Sequence, residues 1–318
     1  MAITLSEAKK NVQDALTMGV IDEFRKNNFL LENLTFDDAV SPTGGGATLT
    51  YGYTRLITQP TAQFRAVNEE YTPQEVSKQR YNVDLKVFGG AFELDRIISG
   101  MGGIADEVQV QMSQKIKAAQ ALFNDTVING DSAVQEKAFD GLDKALAGSV
   151  TELIPSAAID LSTSAALDTN YDAFLDILDE FLMGLDGKPS AIMGNLKLIA
   201  KIRAVARRSG RYTITKNEFG ENVGAYDGIP LVDLGEKAGT NEPVVGTSTT
   251  TGETSLYVAR LGLDGFHGVS MAGHPPVKAW LPDFSTSGAV KSGEAEMVAA
   301  VALKATKAAG VMRKIKVQ

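Results

Sequence analysis

The chain has 318 residues, 44% of them apolar, and a formal net charge of −8. That is enough apolar material for one large or two ordinary domains, and the acidic balance argues against a broad surface that neutralises nucleic acid. The absence of Cys excludes disulfides, thiolate catalysis and Cys-based metal sites together, while His267 and His274 are the only imidazoles.

The opening MAITLSEAKK lacks the basic region and apolar core of a signal peptide, and no later apolar run approaches the span of a bilayer, so the sequence predicts a soluble, cytoplasmic protein. Residues 5–18 have the pattern of a short amphipathic helix with Ser6 as N-cap and Val12, Ala15 and Leu16 on its apolar side. The mixed stretch FRKNNFLLENLTFDDAV that follows has no clean period. It reads as an arm with no core of its own, packing on something else. Residues 48–58, with Leu49, Tyr51, Tyr53 and Ile57 on one side, and residues 79–88, where Tyr81, Val83, Leu85 and Val87 alternate with polar residues, predict a long antiparallel ribbon. The connection over 59–78 is polar, contains Pro60 and Pro73, and is too long for a tight turn. A two-stranded ribbon is barely stable alone in water, so it needs a partner surface.

Ile104, Val108, Met112, Ile116, Ala119, Phe123 and Val127 recur every three or four residues and predict one long helix over 104–129, about 40 Å in length. Gly130 is placed to end it in a left-handed conformation. A short helix and turn follow over 139–146, a Ser- and Thr-rich connection over 161–169, and an amphipathic helix from Tyr171 that carries Phe174, Leu178 and Phe181. A buried strand at 190–193, a helix over 196–208 capped by Asn195, and strands at 229–232, 256–259, 268–271 and 277–280 predict a compact α/β unit. Two β-prone runs close the chain, 296–305 and 311–317, and are expected to pair with each other beside the long helix.

Little in this pattern carries chemistry. GLDGKPS at 184–190 imitates a phosphate loop but lacks the first glycine at the required distance and has Pro189 after Lys188, so it reads as a turn. SPTGGGAT at 41–48 reads as a flexible hinge. Two His cannot complete a zinc site. The carboxylate pairs Asp37 with Asp38, Glu69 with Glu70, and Asp233 with Glu236 lie in loops and read as solvated. No Ser, His and Asp arrangement has a nucleophile elbow. The sequence therefore assigns no catalytic, cofactor or metal residue. One basic cluster, Lys197, Lys201, Arg203, Arg207, Arg208 and Arg211, reads either as a contact for phosphate or an acidic neighbour, or as the solvated side of a helix with cations near its C-terminus.

The order of arm, ribbon with a long tip, single long helix, α/β unit and closing β pair resembles the major capsid proteins of tailed bacteriophages of the Hong Kong 97 type. The stretches carrying the likeness are NVDLKVFGGAFELDR, ALFNDTVINGD, FDGLDKALAG, GAYDGIPLVDLG and EMVAAVALKATKAAGVMRKIKV, in that order. The resemblance implies an α+β fold with an N-terminal arm (1–46), an E-loop ribbon (47–95), a peripheral domain (96–150 and 285–318) with its spine helix over 104–129, and an α/β axial domain (151–284). It further implies a non-enzymatic shell protein that assembles through hexamers and pentamers of itself around double-stranded DNA in a virion. Such a protein encloses the DNA without sequence-specific binding, has no contact with a membrane, and has a portal and, in some members, a decoration protein as further partners. Arm and ribbon would then bury their apolar residues on neighbouring subunits. About forty residues precede the ribbon, which points to a separate scaffolding protein or none. Some members cross-link a ribbon-tip Lys to a neighbour's Asn, but residues 59–77 contain no Lys. Denaturing gel electrophoresis of purified particles is therefore expected to give a single monomer band, and a ladder of high-mass bands would contradict this. Two alternatives remain open at this point: an encapsulin nanocompartment, which keeps the fold, and a small α/β enzyme, which gives the ribbon no role.

Overall fold

A computed structural model describes residues 29–40, 48–101, 107–210, 212–216, 222–240, 242–272 and 277–318. The helix expected over 5–18, the hinge at 41–47, the first residues of the long helix (104–106), Arg211 and His274 lie outside them.

The stretch read as a free arm is part of the core in its described portion. A short helix α1 (Phe29–Asn33) buries Leu30, and the strand β1 (Phe36–Val40) adds in parallel to β12 (Phe266–Met271), from Phe36↔Gly268 to Val40↔Met271. The ribbon is β2 (Thr50–Leu56) paired with β3 (Lys78–Asp84), in register from Thr50↔Asp84 to Leu56↔Lys78. The strand expected over 79–88 is two strands, not one. Leu85 stands between β3 and β4 (Lys86–Asp95), buried, with its N–H donated to the Leu49 carbonyl. One residue out of step moves every later side chain to the other face, so Val87 is exposed while Phe92 and Leu94 are buried. β4 then runs antiparallel to β14 (Val290–Leu303) for ten registered pairs. Strands β1, β12, β14 and β13 (Val277–Trp280) with β4 make the first sheet.

After the short helix α2 (Arg96–Ser99), the long helix α3 (Glu107–Asn129) lies across this sheet. Its 23 residues span about 35 Å. Met112 packs with Phe92 and Ala295, and Phe123 and Val127 enter the main core, as the periodic stripe requires. The outer face is narrower than the periodicity predicts, because Asn124, Ala121 and Ile128 are also buried near the C-terminus. Gly130 does not adopt a left-handed conformation. It is required by close approach instead: a Cβ there would lie 2.2 Å from the Phe139 carbonyl oxygen, where the chain doubles back through the Gly141 N–H to Gly130 carbonyl bond.

The second sheet is the α/β unit. Its order is β5 (Glu152–Leu153), β15 (Ala309–Lys316), β11 (Glu253–Ala259), β7 (Ala191–Gly194), β10 (Ile229–Asp233), β9 (Asn222–Tyr226) and β8 (Tyr212–Lys216), with β6 (Ile159–Asp160) also on β15. The closing strands β14 and β15 do not pair with each other. β14 belongs to the first sheet and packs on α3, whereas β15 lies between β5 and β11 in the second. The hairpin β8–β9 has no counterpart in the sequence reading. The connection expected over 161–169 is largely helix: α5 (Ser164–Met183) starts earlier than predicted, with the Thr163 hydroxyl accepting from the Ala166 N–H.

Helices α5 and α6 (Leu196–Arg208) bury Phe174, Leu178, Ile199, Ile202 and Val205 as a second core. Asn195 caps α6 by accepting from the Leu198 N–H at 2.8 Å, and its amide donates to the Val245 carbonyl and the Thr247 and Thr254 hydroxyls. Between the two sheets, on α4 (Leu142–Leu146), Asp143 accepts from the Tyr257 hydroxyl and the Arg313 guanidinium, both at 2.7 Å, and Arg313 also holds Glu152. Burial, then the Asp143 carboxylate, push the Tyr257 hydroxyl far above its ordinary value, so it stays a donor.

Candidate assembly surfaces

The ribbon divides physically into a root that is held and a tip that is not. At the root, Tyr51, Tyr53 and Arg55 share one face of β2, as alternate strand residues must. Tyr51 is buried with Val40, Leu85, Val269 and Ala302, and its hydroxyl donates to Asp37 at 2.8 Å. Tyr53 donates to the Leu303 carbonyl at 2.9 Å. Arg55 reaches the end of β14: its Nε donates to the Lys304 carbonyl at 2.9 Å, and its other nitrogens to the Leu303 carbonyl and the Thr306 hydroxyl. The guanidinium carbon lies 4.4 Å from the Tyr81 ring centroid, and the Tyr53 and Tyr81 rings stack at 5.7 Å. The surface the ribbon needs is thus supplied at its root by this chain's own first sheet.

This root depends on Arg55 because its planar fork serves four acceptors, the Tyr53 hydroxyl included, that a point charge cannot. Arg55→Ala is expected to accelerate amide exchange across β2 and β3 by about tenfold or more while global unfolding moves by about 1–2 kcal/mol. Hydrogen exchange with mass spectrometry reads both, and unchanged ribbon exchange would contradict the clamp.

Beyond Leu56 the chain is held only by itself. Thr58 and Ser77 hydroxyls meet at 2.9 Å, Gln74 accepts from the Thr61 N–H at 2.7 Å, and a turn at 66–69 places Asn68 at a φ of 73°. Arg65 donates to the Glu69 carbonyl and lies over Tyr71. These rungs shape the tip and leave its apolar residues outward. Phe64 is fully exposed, Val67 is 88% exposed, and Leu56, Ile57, Tyr71 and Val76 are also exposed. Six exposed apolar or aromatic residues within twenty-one positions concentrate apolar surface on this one segment.

The remaining sequence candidates are structural. Lys201 donates to the Ser162 carbonyl, Arg208 donates to Asp168 at 2.7 Å and to the Ser164 hydroxyl, and Lys197 meets Gln318, so half of the basic cluster ties α6 to its own unit. Arg203 and Arg207 are exposed. GLDGKPS is the turn between α5 and β7, with Lys188 donating to the Asp227 carbonyl. Asp37 is engaged at the ribbon root, and Asp233 accepts from the Gly235 N–H. A groove of about 480 Å³ at the C-terminus of α3 is lined by Asp125, Asp131, Asp143 and Lys144. Lys144 bridges Asp131 at 2.7 Å and Asp140 at 2.8 Å, holding the Asp131 carboxyl below its usual range, and the Thr126 hydroxyl in the lining donates to the Leu122 carbonyl at 2.7 Å. Among the described residues no cluster of three or more His, Asp or Glu is placed to hold a metal ion, and no helix is long and apolar enough to cross a membrane.

No family model and no curated protein matches this chain. Solved structures do. The chain is similar to the subunit of the holo-SrpI encapsulin complex from Synechococcus elongatus PCC 7942, with a TM-score of 0.66 and 15% identity over 100% of this chain and 98% of that one. It is similar to the capsid of the native GTA particle, with a TM-score of 0.60 and 13% identity over 96% and 95% of the two chains. It is also similar to the capsid of Myoviridae phage XM1, with a TM-score of 0.60 and 9% identity over 99% of each. The fold is therefore that of Hong Kong 97-type capsids, α+β, with an extended ribbon and a long helix.

Proposed function

We propose that this chain is a major capsid protein, which assembles through pentamers and hexamers of itself into an icosahedral shell around double-stranded viral DNA. The observation that carries the reading is the ribbon: a shell-forming fold holds its root firmly and presents an apolar tip to solvent. Exposed Phe64 and Val67 are unfavourable on a lone monomer and favourable once a neighbouring subunit covers them, at about 25 cal/mol for each Å² removed from water. Each contact is modest, but repetition over a closed shell sums to a durable container. The acidic net charge fits a container that does not condense nucleic acid by its own charge.

On this reading the chain has no catalytic site, and it divides into the arm (1–46), the ribbon (47–95), a peripheral domain around α3 (96–150 and 285–318) and an axial α/β domain (151–284). The position of β15 within the α/β sheet supports moving that last strand to the axial domain. The shell is a virion component formed in a host cell, with a portal as a further partner. The likeness to an encapsulin supports a second reading, a shell enclosing cargo protein. Nuclease-protected contents of purified particles test the choice. Long double-stranded DNA supports the capsid, whereas an enriched cargo protein without DNA contradicts it and favours the nanocompartment.

A further inference from the structure

His267 is a buried imidazole that the shell reading leaves unused. It lies near the start of β12, with β1 on one side and β14 on the other, in register with Ala302, and it is fully buried. Neither ring nitrogen has a hydrogen-bond partner of ordinary geometry. A neutral imidazole tolerates that poorly and an imidazolium, with two N–H donors, far worse. What covers it is the root of the ribbon: the Tyr51 ring stands edge-on to it with centroids 5.8 Å apart.

The titratable and charged groups facing this corner come from each element around it. β1 supplies Asp37, β2 supplies Tyr51, Tyr53 and Arg55, β3 supplies Tyr81, and Lys304 follows β14. Asp37, the one anion in that set, is already taken, accepting from the Tyr51 hydroxyl at 2.8 Å with the Lys304 ammonium 3.8 Å away. A second positive charge on the ring would meet Lys304 without a free counter-ion. β12 and β14 are fixed by their ladder, while β2 and β3 pair only with each other and reach the body at this corner through side chains. The ribbon is the part that can yield.

We propose that His267 is a pH-sensitive latch for the ribbon: the neutral ring seats Tyr51 and holds the root, and protonation unseats it and frees the ribbon to swing from the body. Burial first, then Lys304, keep the imidazole below its ordinary value of 6.5, against the opposing pull of Asp37 and the Gly265 carbonyl. With the ribbon lifted the ring returns toward that ordinary value, so below about pH 6.5 the open state binds more protons and acidification favours opening. Above that pH neither state binds the proton and the latch stays closed. This mechanism needs only the chain itself and does not depend on the contents or existence of a shell.

Hydrogen exchange with mass spectrometry on the full-length chain tests it, comparing wild type with His267→Gln and His267→Phe at the same pH so that intrinsic exchange rates cancel. At pH 7.5 the wild type should protect β2 and β3 at least as well as either variant. At pH 5.0 the wild-type ribbon root should exchange faster than either variant, by up to about thirtyfold, the limit that a free value of 6.5 sets at that pH, with β12 and β14 unchanged. Two variants are used because one may not fold. Equal ribbon exchange in wild type and a folded variant at pH 5.0, whether both fast or both slow, would overturn the latch. So would an NMR titration in which the His267 ring protonates with no change in ribbon exchange.

Discussion

Phe64→Asp combined with Val67→Asp is expected to abolish shell assembly while leaving the monomer as stable as before. Both side chains project from the ribbon tip into solvent and touch nothing that the subunit needs, so two carboxylates there cost the isolated chain almost nothing. In a contact between copies the same substitutions place two charges where apolar surface should be buried, and unpaired buried charge is among the most unfavourable changes an interface can receive. The loss at one contact is multiplied over every copy in a closed shell, so the assembly yield should fall by about two orders of magnitude or more. Sedimentation of the purified variant reads the result. Shells in normal yield would mean that the tip is not an assembly surface, and loss of soluble monomer would mean that it is part of the core.

Phe123→Ala should have the opposite signature, loss of folding rather than of assembly. Phe123 is fully buried on α3, and its ring lies 6.1 Å from Phe36 of β1, 6.1 Å from Phe88 of β4 and 5.9 Å from Phe139 before α4. Three other segments of the chain converge on this one side chain. Truncation removes the transfer energy of the ring and leaves a cavity that rigid neighbours cannot fill, a combined cost of about 3–5 kcal/mol. That is a third or more of the stability of an ordinary domain. Urea unfolding should show a markedly lower midpoint with an unchanged slope. A shift below about 1 kcal/mol would mean that the four-ring cluster does not hold these segments together.

The two experiments separate what could be read from the residues and what could not. Elements with strong local signals were legible: α6 ends where its cap and basic last turn place it, β13 lies where its alternation does, and α3 follows its apolar stripe from Glu107 onward. Pairings between distant segments were not. β1 carries Asp37 and Asp38 and no clean alternation, so nothing local marks it as a strand, and its place comes from the open edge of β12. The split at Leu85 is invisible because residues on both sides alternate without interruption, and only the change from ribbon to sheet reverses which face is buried. The closing strands look like a pair because they are adjacent and β-prone, yet each finds a better-matched neighbour elsewhere. One signal was present and unused. Asp227 and Gly228 both have positive φ, 49° and 68°, and form the two-residue turn joining β9 to β10, for which an Asp-Gly pair is the sequence signature. The exposed tip was legible only as a long polar connection, because composition cannot say that its few apolar residues stand outward. His267 looked like an ordinary strand-end residue, and its burial beneath Tyr51 follows from a contact between chain segments more than two hundred residues apart.

Electron microscopy of the purified full-length chain under assembly conditions is the most direct test of the central claim. Closed, uniform icosahedral shells built from rings of five and six are the expected result, with each ribbon tip seated on a neighbouring subunit. Uniform monomers under every condition, with neither rings nor shells, would contradict it.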